Sequence, residues 1–154
     1  MNVNDLHPAQ KFMYEYGCFT SFWSNFDILM DVAICKFSGQ DPRTYCLLRS
    51  RTSGNKKTEL EKYVTDSNIL DKLQAVFDAA ERNDWVHGHI LNPNGDFSVL
   101  TRLRVDTKAG TITNTPVDFI SSPFQNFYDA FGEFQEAIGI TSDEANEYIK
   151  KIQA

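Results

Sequence analysis

Phe12-Met13-Tyr14-Glu15-Tyr16-Gly17-Cys18-Phe19-Thr20-Ser21-Phe22-Trp23-Ser24-Asn25-Phe26 sets an aromatic residue at positions 12, 16, 19, 23 and 26, alternately four and three apart. That alternation keeps the rings on one stripe of an α-helix. The stripe continues outward through Met30, Ala33 and Phe37, while Pro8 suits a first helical turn and Ser38-Gly39 a stop. One helix from Pro8 to Phe37 is therefore predicted, and at about 1.5 Å per residue it would be roughly 45 Å long. Large residues at this spacing are read as core or a dimer seam rather than as a cofactor channel.

A second stripe, Phe124, Phe127, Phe131, Phe134 and Ile138, repeats the pattern and ends at Gly139. Ser122-Pro123-Phe124-Gln125 offers it a capping serine, a first-turn proline and a glutamine at the third position. Thr141 with Glu144 is a further capping box, before a last helix whose Ala145, Ile149 and Ile152 face inward. Between the stripes, Asp41-Pro42 opens a short helix to about Arg49, with Tyr45, Leu47 and Leu48 inward, and Ser53-Gly54-Asn55 reads as a break. Another short helix is expected over about Lys57 to Val64. Asp66 then caps a helix that buries Ile69, Leu70, Leu73, Val76, Phe77 and Ala80.

Beyond Gly88 the pattern changes to turn chemistry at Asn92-Pro93-Asn94-Gly95. Phe97, Val99, Thr101, Leu103 and Val105 then alternate with Ser98, Leu100, Arg102 and Arg104, as in a strand. Asp106 to Gly110 can turn the chain and Thr111 to Thr115 can return it. The expected fold is mainly α, one domain over residues 1–154, with a β-hairpin inserted at about residues 97–115. Neither an internal repeat nor a low-complexity tract is present.

The hydrophobic fraction of 42%, with twelve phenylalanines, excludes a disordered chain. A net charge of −6 excludes a protein that coats nucleic acid through a broad basic face. From Pro42 to Thr58, however, Arg43, Arg49, Arg51, Lys56 and Lys57 occur without an acidic residue. They form either a local patch that draws in a phosphate backbone or a solvated loop. Cys18, Cys35 and Cys46 lack paired spacing and are read as buried thiols, with neither a disulfide framework nor a metal site. No cofactor motif is recognised. Met1 to Gln10 lacks a basic segment followed by an apolar run, and no apolar stretch approaches bilayer length, so a cytoplasmic protein without membrane contact is expected.

Chemistry concentrates in Glu81-Arg82-Asn83-Asp84-Trp85-Val86-His87-Gly88-His89. On a helix Asn83 and His87, four apart, share a face, with Arg82 at its edge. Arginine presents a fixed fork of donors to phosphate, histidine exchanges protons near neutrality, and asparagine can orient the imidazole. These groups suit RNA cleavage by attack of the 2′-hydroxyl, in which a base takes its proton and an acid protonates the departing 5′ oxygen, with no metal needed. Two such roles suit a two-fold dimer, although His89 offers a second proton carrier within one chain. In the alternative reading Arg82 is an ion-pair partner of Glu81 or Asp84 and His87 a helix C-terminal cap. Trp85 is read as core or interface rather than as a base-stacking platform.

The Arg82-Asn83-x3-His87-Gly88 set, preceded by Glu81, resembles the signature of the HEPN superfamily. The resemblance implies an up-and-down helical bundle and a metal-independent endoribonuclease that acts as a homodimer on RNA. Toxin–antitoxin or antiviral-defence systems are the implied setting, with an antitoxin or other regulatory protein as partner. Arg82, His87 and Asn83 would be its catalytic set, and Arg43, Arg49, Arg51, Lys56 and Lys57 the approach for RNA. A catalytically silent HEPN-like module that binds RNA, a nucleotide or a protein is the alternative.

Overall fold

The computed structural model describes residues 5–47, 52–80, 85, 89–96, 98–117 and 124–153. Its elements are α1 (Pro8–Ser38), α2 (Pro42–Leu47), α3 (Ser53–Tyr63), α4 (Ser67–Ala79), β1 (His89–Leu91), β2 (Thr101–Asp106), β3 (Thr111–Pro116), α5 (Gln125–Ile138) and α6 (Ser142–Gln153). The described chain is mostly helical, with one small antiparallel sheet in the order β1-β2-β3. It divides into two compact units. The first comprises Met1–Ser21 and Phe77–Phe127, the second Phe22–Val76 and Tyr128–Ala154.

In the first unit the early part of the α1 stripe is core. Phe12 and Phe19 are buried with Trp85, Leu100, Phe124 and Phe127. Phe19 stacks on Phe124 at 4.8 Å and meets the edge of Phe127 at 4.9 Å. The second unit uses the rest of the stripe. There Phe26 meets Phe131 and Phe134 edge-on, each at 5.7 Å, while Phe22 meets Tyr128 at 5.0 Å. Partner numbers rise together, so α1 and α5 run in the same direction in this unit. Phe12, Phe19, Phe26, Phe131 and Phe134 are thus packed within the chain as core, whereas Phe22, off the stripe, is 45% exposed.

Helix ends follow local chemistry. Gly39 and Gly139 adopt positive φ values of 70° and 61°, where a Cβ is disfavoured, just past α1 and α5. At α6 the capping box closes reciprocally, with the Glu144 amide donating to Thr141 Oγ1 at 3.2 Å and the Thr141 amide to Glu144 Oε2 at 2.8 Å. Asp66 Oδ1 accepts from the Asn68 amide at 2.9 Å before α4. Ser122 and Pro123 lie outside the described residues.

Four expectations are corrected. Ser53-Gly54-Asn55 does not break a helix but opens α3, because Thr52 caps it by accepting from the Asn55 amide. β2 begins at Thr101 rather than at Phe97, since Asp96 Oδ1 accepts from the Ser98 amide in a local turn before it. The hairpin has a third strand, β1, which pairs His89 with Leu103, Ile90 with Arg102 and Leu91 with Thr101. In α6 the buried residue is Tyr148, whereas Ile152 is exposed.

Candidate functional site

Trp85 is the described residue at the heart of the Arg82–His87 set. It is buried, has helical backbone conformation, and packs on Phe12 at 5.8 Å and edge-on to Phe124 at 5.3 Å. The Tyr16 hydroxyl donates to its carbonyl oxygen at 2.9 Å, and burial raises the Tyr16 pKa above its ordinary value. The guanidinium of Arg102, from β2, lies 4.5 Å from the Trp85 ring centre. Core packing, one hydrogen bond and a cation–π contact thus hold the middle of the motif, which bears out Trp85 as core. Ala80 is buried before it and His89 is exposed at the start of β1 after it. Arg82, Asn83 and His87 lie outside the described residues.

The second unit decides how the basic segment is used. Lys56 is buried, and its ammonium reaches Asp27 Oδ2 at 2.5 Å and Asp31 Oδ2 at 2.7 Å, while Tyr45 donates to Asp31 Oδ1 at 3.1 Å. Burial lowers the affinity of Lys56 for its proton, but the hydrogen bonds and charges of the two aspartates outweigh it and raise the pKa. For Asp31 burial wins over Lys56 and Tyr45, and the pKa is raised. Lys56 is therefore a fixed structural cation, which removes it from an RNA-facing patch. Lys57 bonds Gln74 at 2.6 Å and pairs with Glu61 at 3.1 Å. Arg43 is exposed on α2, and Arg49 and Arg51 lie outside the described residues.

The same unit contains a cavity of about 430 Å³ with Val32, Cys35 and Tyr148 as apolar lining and Lys36, Glu144 and Lys151 among its polar residues. Lys36 pairs with Glu144 at 2.7 Å across it. Cys46 Sγ and the Tyr148 hydroxyl share a 3.0 Å hydrogen bond, and burial drives the Tyr148 pKa well above the phenol range. Cys35 is buried and its pKa is pushed up to about 12, first by burial and then by neighbouring Cys46, Asp31 and Asp41. Cys46, expected to be buried, is exposed, and its neighbour Tyr45 is the α2 residue that is buried. Sequence reasoning found neither this cavity nor the Lys56 cluster, because both join residues far apart in the chain.

Among the described residues no group of three or more histidine, cysteine or carboxylate side chains could hold a metal ion, and no helix is long and apolar enough to cross a membrane. Comparison with protein-family models, with curated proteins and with solved structures finds no match to this chain.

Proposed function

We propose that this chain is a HEPN-type endoribonuclease that cleaves RNA without a metal at a site completed by a second copy. The observation that carries this reading is the Glu81-Arg82-Asn83-x3-His87-Gly88 set. Arg82 would grip the scissile phosphate and steady the charge that builds on it. His87 would take the 2′-hydroxyl proton or return one to the leaving oxygen, with Asn83 holding its imidazole. The 2′ oxygen then bonds to phosphorus as the bond to the 5′ oxygen breaks, leaving a 2′,3′-cyclic phosphate and a 5′-hydroxyl.

The burial of Trp85 supports the reading. Trp85 is committed to the core, which leaves the chemistry to the polar members of the motif. A toxin or antiviral effector, held by an antitoxin or another regulatory protein, is the setting we infer from the same resemblance.

The second reading, a silent HEPN-like module that binds RNA, a nucleotide or a protein, draws support from Lys56. Its commitment to Asp27 and Asp31 thins the basic segment of a chain with net charge −6. Incubation of the purified protein with mixed RNA in excess EDTA, beside His87→Ala, separates the two. The first reading requires cyclic-phosphate ends that vanish in the variant. A folded protein that leaves the RNA intact favours the second.

A further inference from the structure

Among the described residues β3 lies at an edge of the sheet, and Thr111-Ile112-Thr113-Asn114-Thr115-Pro116 is exposed throughout and carries no charge. Natural edges are usually blunted by charge, bulges or cover, because unpaired N–H and C=O groups invite another strand. The phase of the ladder identifies which groups point outward. The Val117 amide donates to Leu100 O at 2.9 Å, one step beyond the Thr101–Pro116 pair. Hydrogen-bonded and non-bonded pairs alternate in antiparallel sheets, so Thr115, Thr113 and Thr111 bond to β2. Ile112, Asn114 and Pro116 turn their backbone polar groups outward.

We propose that this edge pairs, antiparallel and about a two-fold axis, with β3 of a second copy of the chain, extending the sheet to six strands. The inference does not depend on the ribonuclease reading. In the register centred on Thr113, Ile112 faces the partner's Asn114 and Asn114 the partner's Ile112. Each such pair exchanges two N–H···O bonds, four in all, and Pro116, which has no N–H, falls at the end of the ladder opposite the partner's Gly110. The strand is thus complementary to itself, as an isologous interface requires. Its neutrality matters too, since two copies meet with no like charges opposed.

The outer face favours the same pairing. Val105 and Ile112 sit opposite each other in a non-bonded pair and are 53% and 71% exposed. Pairing sets the two Ile112 side chains diagonally across the seam and covers them. Six residues per copy bury less than the roughly 1,200 Å² of a standard stable interface, so the dimer is weak.

Sedimentation velocity of the full chain, from micromolar to hundreds of micromolar, should show a dimer that grows with concentration. Asn114→Pro deletes an outward N–H without touching the β2 ladder, and should weaken dimerisation about tenfold or more through two lost bonds per dimer. Ile112→Lys, at an exposed position, should do likewise by opposing two charges. Thr113→Cys should form a disulfide between copies at residue 113, because non-bonded partners lie about 4.5 Å apart at Cα, within bridging range. Mass spectrometry of non-reduced peptides would identify it. A chain that stays monomeric throughout, or a dimer that Asn114→Pro leaves unchanged while circular dichroism shows both proteins folded, overturns the proposal.

Discussion

The guanidinium of Arg102 lies 4.5 Å from the ring centre of Trp85, so a strand residue supplies the positive charge that faces the tryptophan of the Arg82–His87 motif. Such a contact is worth about 1 kcal/mol when half-buried. Arg102→Ala should lower unfolding free energy by about that amount or more in a urea titration, and Arg102→Lys by less, because it keeps the charge but not the planar stack. Equal stability of Arg102→Ala and the parent would show that the contact contributes nothing.

Lys56 offers a larger effect. Removing it in Lys56→Ala strands the carboxylates of Asp27 and Asp31 with Asp27 Oδ1 already buried and unbonded, which should cost about 3–5 kcal/mol. Thermal or urea unfolding measures it directly, and a loss below about 1 kcal/mol would place the pair with exposed ion pairs instead. The cluster also sets a pH dependence. Folded Asp31 keeps its proton to higher pH than the unfolded residue, so the folded state binds more protons in that window and stability falls as pH rises through it. The parent should therefore be most stable relative to Asp31→Asn at acid pH, and should lose that advantage as pH climbs from 3.8 through the raised value. A relative stability that grows with pH would reverse the assignment.

The thiols should react in a fixed order. Cys35 is buried and resists ionisation, with its pKa pushed up to about 12, whereas Cys46 is exposed. Iodoacetamide at about pH 8 should alkylate Cys46 first and Cys35 only after denaturant is added, as read by peptide mass spectrometry. Comparable labelling of both in the folded protein would contradict the burial of Cys35.

Much of the fold is legible in the sequence where the cause is local. The aromatic alternation locates α1 and α5, Gly39 and Gly139 end them, and Thr141 with Glu144 announces α6. The turn at Asp106 is equally readable, since its carboxylate accepts from the Lys108 and Ala109 amides. What escapes is set by distant partners. β1 is three residues long and exists through its pairing with β2, and Lys56 looks solvated until Asp27 and Asp31 are brought to it from α1. Ser53-Gly54-Asn55 misleads for another reason. Breakers of a helix interior are tolerated in a first turn, where amides lack intrahelical acceptors anyway. Of the candidate site, its residue types are readable, and Trp85 is the member whose packing is described.

α3 presents little oil to its neighbours, because its buried residues are Lys56, Glu59 and Leu60. A helix held mainly by apolar area can slide along a partner at small penalty, but this one is indexed by charge. Displaced by one turn, it would set Leu60 or Thr52 where Lys56 now stands, leaving two aspartates facing a side chain without a cation. The pair Asp27 and Asp31 thus acts as a keyway on α1, and Lys56 as the tooth that admits α3 at a single axial position.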